Sequence, residues 1–352
     1  MQQCARLEIV DNVMKKLTLK DVAKQLGVST ATISNAFNRP DQLSANKRTE
    51  ILEACKEIGY TGPNRAAQIL RKGQSNIVAL VLADSLDYMV TDPVANTFIQ
   101  GVSRVLRENQ KHLLLYAGDS DSITDVVDFV DGFICYGAPR NGSLSTQLNQ
   151  QSKPVVTVDF NLEGRPAINI DNEKASYEIA KAALRPGDRA AILGLRLIDS
   201  PSTCRIYDSP LLDAESSITH RRLDGYCRAL KEMGIEVATD WIWNLPENAG
   251  MYAVQAAREV LQSSPRPDVI LCMSDIIALE LLQCALTMGI DIPGELRITG
   301  FDGIEEAART RPYMATVCQS SVEKGMEAAK LLLSGDNTSM SLPYEIKVGE
   351  TI

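Results

Sequence analysis

In "LTLKDVAKQLG", Leu19, Val22, Ala23 and Leu26 recur at helical spacing, with Thr18 ahead of the run and Asp21 three residues on. The pattern predicts a short helix opened by a capping box in which Asp replaces the usual Glu or Gln. Gly27 permits a tight turn and Ser29 is placed to cap a second helix. Ser44 is placed to cap a third, "ANKRTEILEACKEIG", with Ile51, Leu52, Cys55 and Ile58 as its inner stripe. The second helix, residues 30–37, has two different sides at about 100° per residue. Ile33, Ala36 and Phe37 form an ordinary core stripe. Ala31, Ser34 and Asn35 face away, with Thr30 at the edge. That outer side carries small and short hydrogen-bonding groups where a solvated helix would carry Lys and Glu.

From residue 74 on the period changes. Apolar strand-like runs ("NIVALVLA", "HLLLYAG", "DGFICYG", "PVVTVD", "RAAILGL", "DVILCMSD", "LRITGFD") alternate with helical ones ("ANTFIQGVSRVLREN", "NEKASYEIAKAAL", "RLDGYCRALKEMG", "YAVQAAREVLQ", "IIALELLQCALTMG"). This alternation predicts parallel βαβ units, enough for two doubly wound sheets. No GxGxxG, GxxxxGKS/T or GxSxG occurs, so the usual markers of nucleotide-fold enzymes and hydrolases are missing. Between the two regions, Pro63 and Gly73 bound a stretch with Ala66, Ala67 and Leu70 on one side, too short to be a stable free helix in water.

Composition sharpens the division. Residues 14–73 hold 11 Lys/Arg and 5 Asp/Glu, a net +6. Residues 1–13 contribute −1, so the chain's total of −9 leaves −14 on residues 74–352. A basic module ahead of an acidic body marks a surface facing a polyanion. The 352 residues suggest two or three domains. The N-terminus has neither a basic start nor an apolar signal core, which predicts a cytoplasmic protein. The eight cysteines form no CxxC pair and are expected to be reduced and mostly buried. His112 and His220 show no ligand spacing, so neither a metal nor any other cofactor is expected.

Two short helices joined through "GVS" and backed by a third match the helix-turn-helix arrangement, whose second helix reads base edges in the major groove. Short polar groups and methyls suit that task. Within residues 17–62 we assign Thr18, Leu19, Ser29, Thr30, Ala31, Thr32, Ser34, Asn35 and Asn38 to DNA.

The chain resembles the LacI/GalR family of bacterial transcription regulators. The residues that carry the resemblance are "TLKDVAKQLGVSTATISNAFN", "LSANKRTEILEACKEIGY", "NRAAQILRKGQS", "CMSDIIALELL" and "ITGFDGIEEA". The resemblance implies a small all-α helix-turn-helix domain followed by a hinge at 63–74. In the family the hinge folds on the operator and wedges a Leu into the central minor-groove step; here that residue is Leu70, with Asn64, Arg65 and Ala67 beside it. Family members commonly carry Arg where this chain has Asn35. Arg reads guanine and Asn reads adenine, so adenine is expected at the facing base pair.

For residues 75–340 the resemblance implies a periplasmic-binding-protein-like α/β core of two doubly wound parallel-sheet lobes joined by three crossovers. We place one lobe at about 75–160 plus 291–318 and the other at 161–290 plus 319–340. Residues 1–16 are an N-terminal extension and 341–352 a tail. Ligands in such sheets bind beyond the carboxyl ends of strands, in the cleft between lobes. Those ends carry Asp84, Cys135 with Tyr136, Asp159, Ser274 with Asp275, and Asp302. The family's effector-contacting positions fall on Asp159, Arg222, Ser274, Asp302 and Gln319. Asp84 and Cys135 join them from the strand ends alone, and Asp275 is assigned as a helix cap. Carboxylates and a guanidinium on one cleft suit a hydroxyl-rich ligand: a sugar, polyol or nucleoside. Gly303 stands where the family usually has a second Asp, and the long segment before Arg222 is expected to cover the cleft.

The expected protein is therefore a dimeric regulator, with pairing of dimers left open. It would bind near-palindromic double-stranded operator DNA, as a repressor, under a small-molecule effector. The competing classes are a solute-binding protein of sugar transport, an enzyme built on the two-lobe body, and the same regulator answering to a purine, a sugar phosphate or a partner protein.

Overall fold

The computed structural model describes residues 17–62, 73–212 and 217–352. The expected extension 1–16 and the hinge residues Asn64, Arg65, Ala67 and Leu70 lie outside the described residues. The chain forms two units, divided between Ser75 and Asn76.

In the first unit, α1 (Leu19–Gln25), α2 (Thr30–Asn38) and α3 (Ala45–Glu57) each start on the expected cap. Asp21 accepts from the Thr18 amide at 3.0 Å while Thr18 Oγ1 accepts from the Asp21 amide, so Asp completes the box. Ser29 and Ser44 accept from the amides of Thr32 and Lys47 at 3.0 and 3.4 Å. The helices bury Val22, Ala23, Ile33, Ala36, Ile51 and Cys55 around Tyr60. Phe37 meets the Tyr60 ring edge-on at 5.8 Å between centroids. Arg48 Nε donates to the Ala36 carbonyl at 3.0 Å, tying α3 to the end of α2.

The second unit opens with β1 (Ile77–Leu82), α4 (Pro93–Glu108), β2 (His112–Tyr116), β3 (Gly132–Tyr136), α5 (Gly142–Asn149), β4 (Val155–Val158) and β5 (Ala167–Asn169). It continues through α6 (Asn172–Ala183), β6 (Ala190–Leu195), β7 (Cys204–Arg205), α7 (Ile218–Glu232), β8 (Ile242–Leu245), α8 (Gly250–Leu261), β9 (Val269–Cys272) and α9 (Asp275–Thr287). The remainder is β10 (Arg297–Thr299), β11 (Thr316–Gln319), α10 (Ser321–Ser334), β12 (Met340–Ser341) and β13 (Tyr344–Lys347). One sheet runs β12-β5-β4-β3-β1-β2 and is parallel throughout. The other runs β10-β9-β6-β8-β7 and is parallel except for β7. Both have helices packed on them, hence inner strands such as β1, β4 and β9 buried on both faces and written as apolar runs, while the edge strands β2, β7 and β12 are more exposed.

The expected lobe boundaries need correction. β10 pairs with β9, so residues 297–299 belong to the second lobe rather than the first. α10 and β12 belong to the first: α10 packs along α4, and β12 pairs with β5. The helix pair decides this. Cβ atoms built on Gly101 and Gly325 would lie 2.0 and 2.2 Å from the backbone oxygens of Val322 and Phe98, so only glycine lets the axes approach. Residues 341–352 are not a loose tail. β13 pairs antiparallel with β11, and buried Thr351 Oγ1 donates to the Ile298 carbonyl at 2.7 Å. The cysteines also differ from expectation: of those described, Cys55, Cys135 and Cys272 are buried, Cys204, Cys284 and Cys318 half-buried and Cys227 exposed.

Candidate functional site

On the first unit, the α2 face opposite Ile33 and Ala36 is solvent-facing. Ser29, Thr30, Ala31 and Asn38 are exposed and Thr32, Ser34 and Asn35 half-buried. Thr18 is exposed at the start of α1. Leu19 is half-buried and packs on the helical core, as its place in the stripe of α1 requires. The exposed Lys20, Lys24, Arg39 and Lys47 supply positive charge on the same unit.

In the second unit a cavity of about 430 Å³ lies between the lobes, at the carboxyl ends of the strands. Asp84, Asp159, Arg222, Asp302 and Gln319 all line it. Four of them belong to one buried chain of polar contacts. Arg222 Nη2 donates to Asp302 Oδ1 at 3.2 Å, Gln319 Nε2 donates to the same oxygen at 2.7 Å, and Lys324 Nζ donates to Gln319 Oε1 and to both Asp159 oxygens at 2.6 and 2.9 Å. Arg222 also donates to Asn172 Oδ1 at 3.0 Å and to the Met273 carbonyl, and lies over the Phe301 ring. Asp159 and Asp302 have left-handed φ of 62° and 119°, unusual for non-glycine residues and typical of strained binding positions. Burial, reinforced by nearby Asp92 and opposed by Arg222, raises the Asp302 carboxyl to about 6. Burial, with Asp159 next in effect, drives the Tyr136 phenol well above its ordinary range, so its hydroxyl keeps its proton.

Three assignments are corrected. Cys135 lies next to the carboxyl end of β3, fully buried among Ala79, Val81 and Phe133, because the strand's alternation turns it away from the cavity. Ser274, not Asp275, caps α9, its Oγ accepting from the Ile277 amide at 3.2 Å. Ser274 is buried behind Asn248, to which it donates, and does not line the cavity. Asp275 accepts from the amides of Gly303 and Ile304 at 2.7 and 2.9 Å and from Thr316 Oγ1 at 2.6 Å. Gly303 turns at φ 72°, and a Cβ there would sit 2.5 Å from Cys318 Sγ, so a second Asp would not fit beside Cys318.

Sequence reasoning missed several cavity residues. Asp92 accepts from the Val94 and Ala95 amides at 2.8 and 2.9 Å as the cap of α4, and its second oxygen accepts from Asn248 Nδ2 at 3.0 Å. The Asn248 amide donates to Tyr88 Oη at 2.8 Å. Tyr88 and Asp92 belong to the first lobe and Asn248 to the second, so these bonds cross the cleft. Arg140 and Arg196 meet on Asp84. Asp92 before Pro93 was a legible cap signal. Asn248 and Arg196 follow strands whose ends only the sheet aligns. The long segment before Arg222 lends Leu212 and Ser217 to the cavity wall.

A helix-turn-helix unit and a two-lobed, cleft-bearing unit in one chain invite comparison with known proteins. Residues 18–64 match the bacterial regulatory proteins of the lacI family, and residues 210–345 match the periplasmic binding protein-like domain. An HTH-type transcriptional regulator of Mycobacterium tuberculosis is 34% identical over 338 residues, 91% of each chain. The chain belongs to the LacI family of transcription regulators. Among other relatives, the HTH-type transcriptional regulator IpsA of Corynebacterium glutamicum is 30% identical over 90% of each chain. The HTH-type transcriptional repressor CytR of Escherichia coli is 29% identical over 90% of this chain and 89% of its own. A LacI-family regulator from Silicibacter pomeroyi superposes with a TM-score of 0.74 at 25% identity, covering 95% of this chain and 99% of that one. The CelR–cellobiose complex superposes at 0.66, also with 25% identity over 95% and 99%. This LacI-family protein is thus a DNA-binding transcriptional regulator, and its relatives are regulators rather than enzymes. No helix among the described residues is long and apolar enough to cross a membrane.

Proposed function

We propose that this regulator is a dimeric repressor that binds a near-palindromic operator through α2 and releases it in response to a small polyhydroxylated effector. The observation that carries the reading is the buried Asp159–Lys324–Gln319–Asp302–Arg222 chain lining an interlobe cavity. Asp302 Oδ1 is occupied by Arg222 and Gln319, which orients the second oxygen as an acceptor for a ligand hydroxyl. Cavity walls such as Met89, Val94, Leu195, Leu212 and Ile218 offer apolar area to a sugar ring or base. The cellobiose held by CelR and the repressor name of CytR point the same way.

Dimerisation is supported by Leu286 and Met288 at the end of α9, 41% and 49% exposed, with Tyr313 at 40%. A groove between α9 and residues 310–311 adjoins them. On the operator side, α2 docks in the major groove with Asn35 on adenine, and Leu70 of the hinge enters the minor groove. An effector that prefers one lobe arrangement shifts operator affinity by the same coupling energy, about 1–3 kcal/mol. The test has two steps. Selection from a random duplex pool is expected to yield an inverted repeat with adenine facing Asn35. A panel of sugars, polyols and nucleosides is then screened for one that weakens binding to that operator in the wild type but not in Asp302→Ala. A panel without effect on operator binding, or a selected site without symmetry, refutes the reading.

A further inference from the structure

We infer that the effector carries an oxyanion, a phosphate ester or a carboxylate, held at the cavity mouth between Arg140 and Arg196; the inference rests on the effector cleft proposed above. The two guanidiniums come from different lobes, Arg140 beyond β3 and Arg196 directly after β6, and both line the cavity. Among the described residues they share a single carboxylate, Asp84. Asp84 accepts from the Ser85 amide at 2.8 Å and from Arg140 Nη1 at 3.2 and 3.0 Å, whereas Arg196 Nη1 stands 3.7 Å away, beyond hydrogen-bond reach. The Asp84 side chain is 6% exposed against 46% for Arg140 and 35% for Arg196, so the acceptor is used up while the donors stay open.

Elsewhere in the cavity each charged group is already engaged. Lys324 pairs Asp159, Arg222 pairs Asp302, and the amides opening α4 hold Asp92. Two guanidiniums against one carboxylate make the positive excess local to Arg140, Arg196 and Asp84. Arg196 holds a left-handed φ of 51°, with its amide fixed on the Leu245 carbonyl at 2.8 Å. Backbone strain at a cavity-lining guanidinium that stands beyond hydrogen-bond reach of Asp84 suits a position kept for a ligand. An oxyanion accepting from both arginines gains two charge-assisted contacts only while the lobes are closed. It thus favours closure and sets the effector class at once.

The experiment uses the full chain and matched ligands: ribose and ribose 5-phosphate, glucose, glucose 6-phosphate and glucuronate, adenosine and adenosine 5′-monophosphate. Binding is read by melting temperature and calorimetry. One anionic member is expected to bind about tenfold or more tighter than its neutral parent, the scale of one or two charge-assisted bonds. Raising the salt should erode that advantage. Arg196→Gln and Arg140→Gln should each shrink it to about twofold while Asp302-dependent binding of the parent persists. The phosphate and carboxylate arms show which oxyanion is read. A neutral parent that binds as tightly as its anionic counterpart overturns this inference and leaves the proposed function standing. Absence of binding by every member overturns both.

Discussion

Asp302 shows how much one residue's surroundings decide. Asp after "ITGF" was readable as a strand-end carboxylate, but its burial, its bonds from Arg222 and Gln319 and its raised pKa of about 6 exist only in the folded cleft. A ligand hydroxyl needs the ionised carboxylate. Effector affinity is therefore expected to hold above pH 6 and to fall, by up to about tenfold per unit, as the pH drops through 6. Stability has the opposite sign. A carboxyl raised from 3.8 favours the folded state below its unfolded pKa and loses that contribution as the pH rises through about 6. Calorimetric titration from pH 5 to 8 checks the first statement. The slope should vanish in Asp302→Asn, and a slope that survives the substitution would assign the titration to another group. Cys135 is the contrary case: strand-end position was legible, side-chain direction was not, because a one-residue difference in register reverses the face.

At the scale of elements, caps and periodicity carried most of the information. Thr18, Ser29 and Ser44 each open the helix they were expected to open, because a cap bonds amides two or three residues away and needs no distant partner. Ser274 and Asp275 were confused for the same local reason, since either residue type caps well and only the Gly303–Ile304 turn claims Asp275. The crossing of α4 and α10 was invisible in sequence, although Gly101 and Gly325 mark it in retrospect. Gly101→Ala is expected to destabilise the second unit by about 1–3 kcal/mol, since its methyl would meet the Val322 backbone rather than a side chain able to move. Urea denaturation followed by circular dichroism measures this. A change below about 0.5 kcal/mol would mean that the helices can separate without loss.

At the scale of the whole molecule, the division into a basic reading unit and an acidic two-lobed unit followed from charge and period alone. The association of copies did not, because it depends on which apolar residues remain outside once the lobes have packed. Leu286 and Met288 remain outside, although the helix that leads to them is apolar enough to read as core. Leu286→Glu is expected to shift the protein from dimer to monomer in sedimentation velocity and to lower operator affinity by at least about tenfold, as a half-operator offers half the contacts. A variant that remains dimeric would place the interface elsewhere.

The sequence by itself determined the helix-turn-helix with its small outward face, the main alternation of the second unit (β1–β4, β6, β9 and β10 with α4 and α6–α9), and the residue types that end those strands. These are set by short-range periodicity, capping and composition. Tertiary structure decided which lobe owns β10 and α10, that the last residues close a small sheet, and that Asp84 is shared by arginines from opposite lobes. Each of these depends on pairing between residues tens to hundreds of positions apart, where hydrogen-bond register and side-chain volume choose among partners that look alike along the chain.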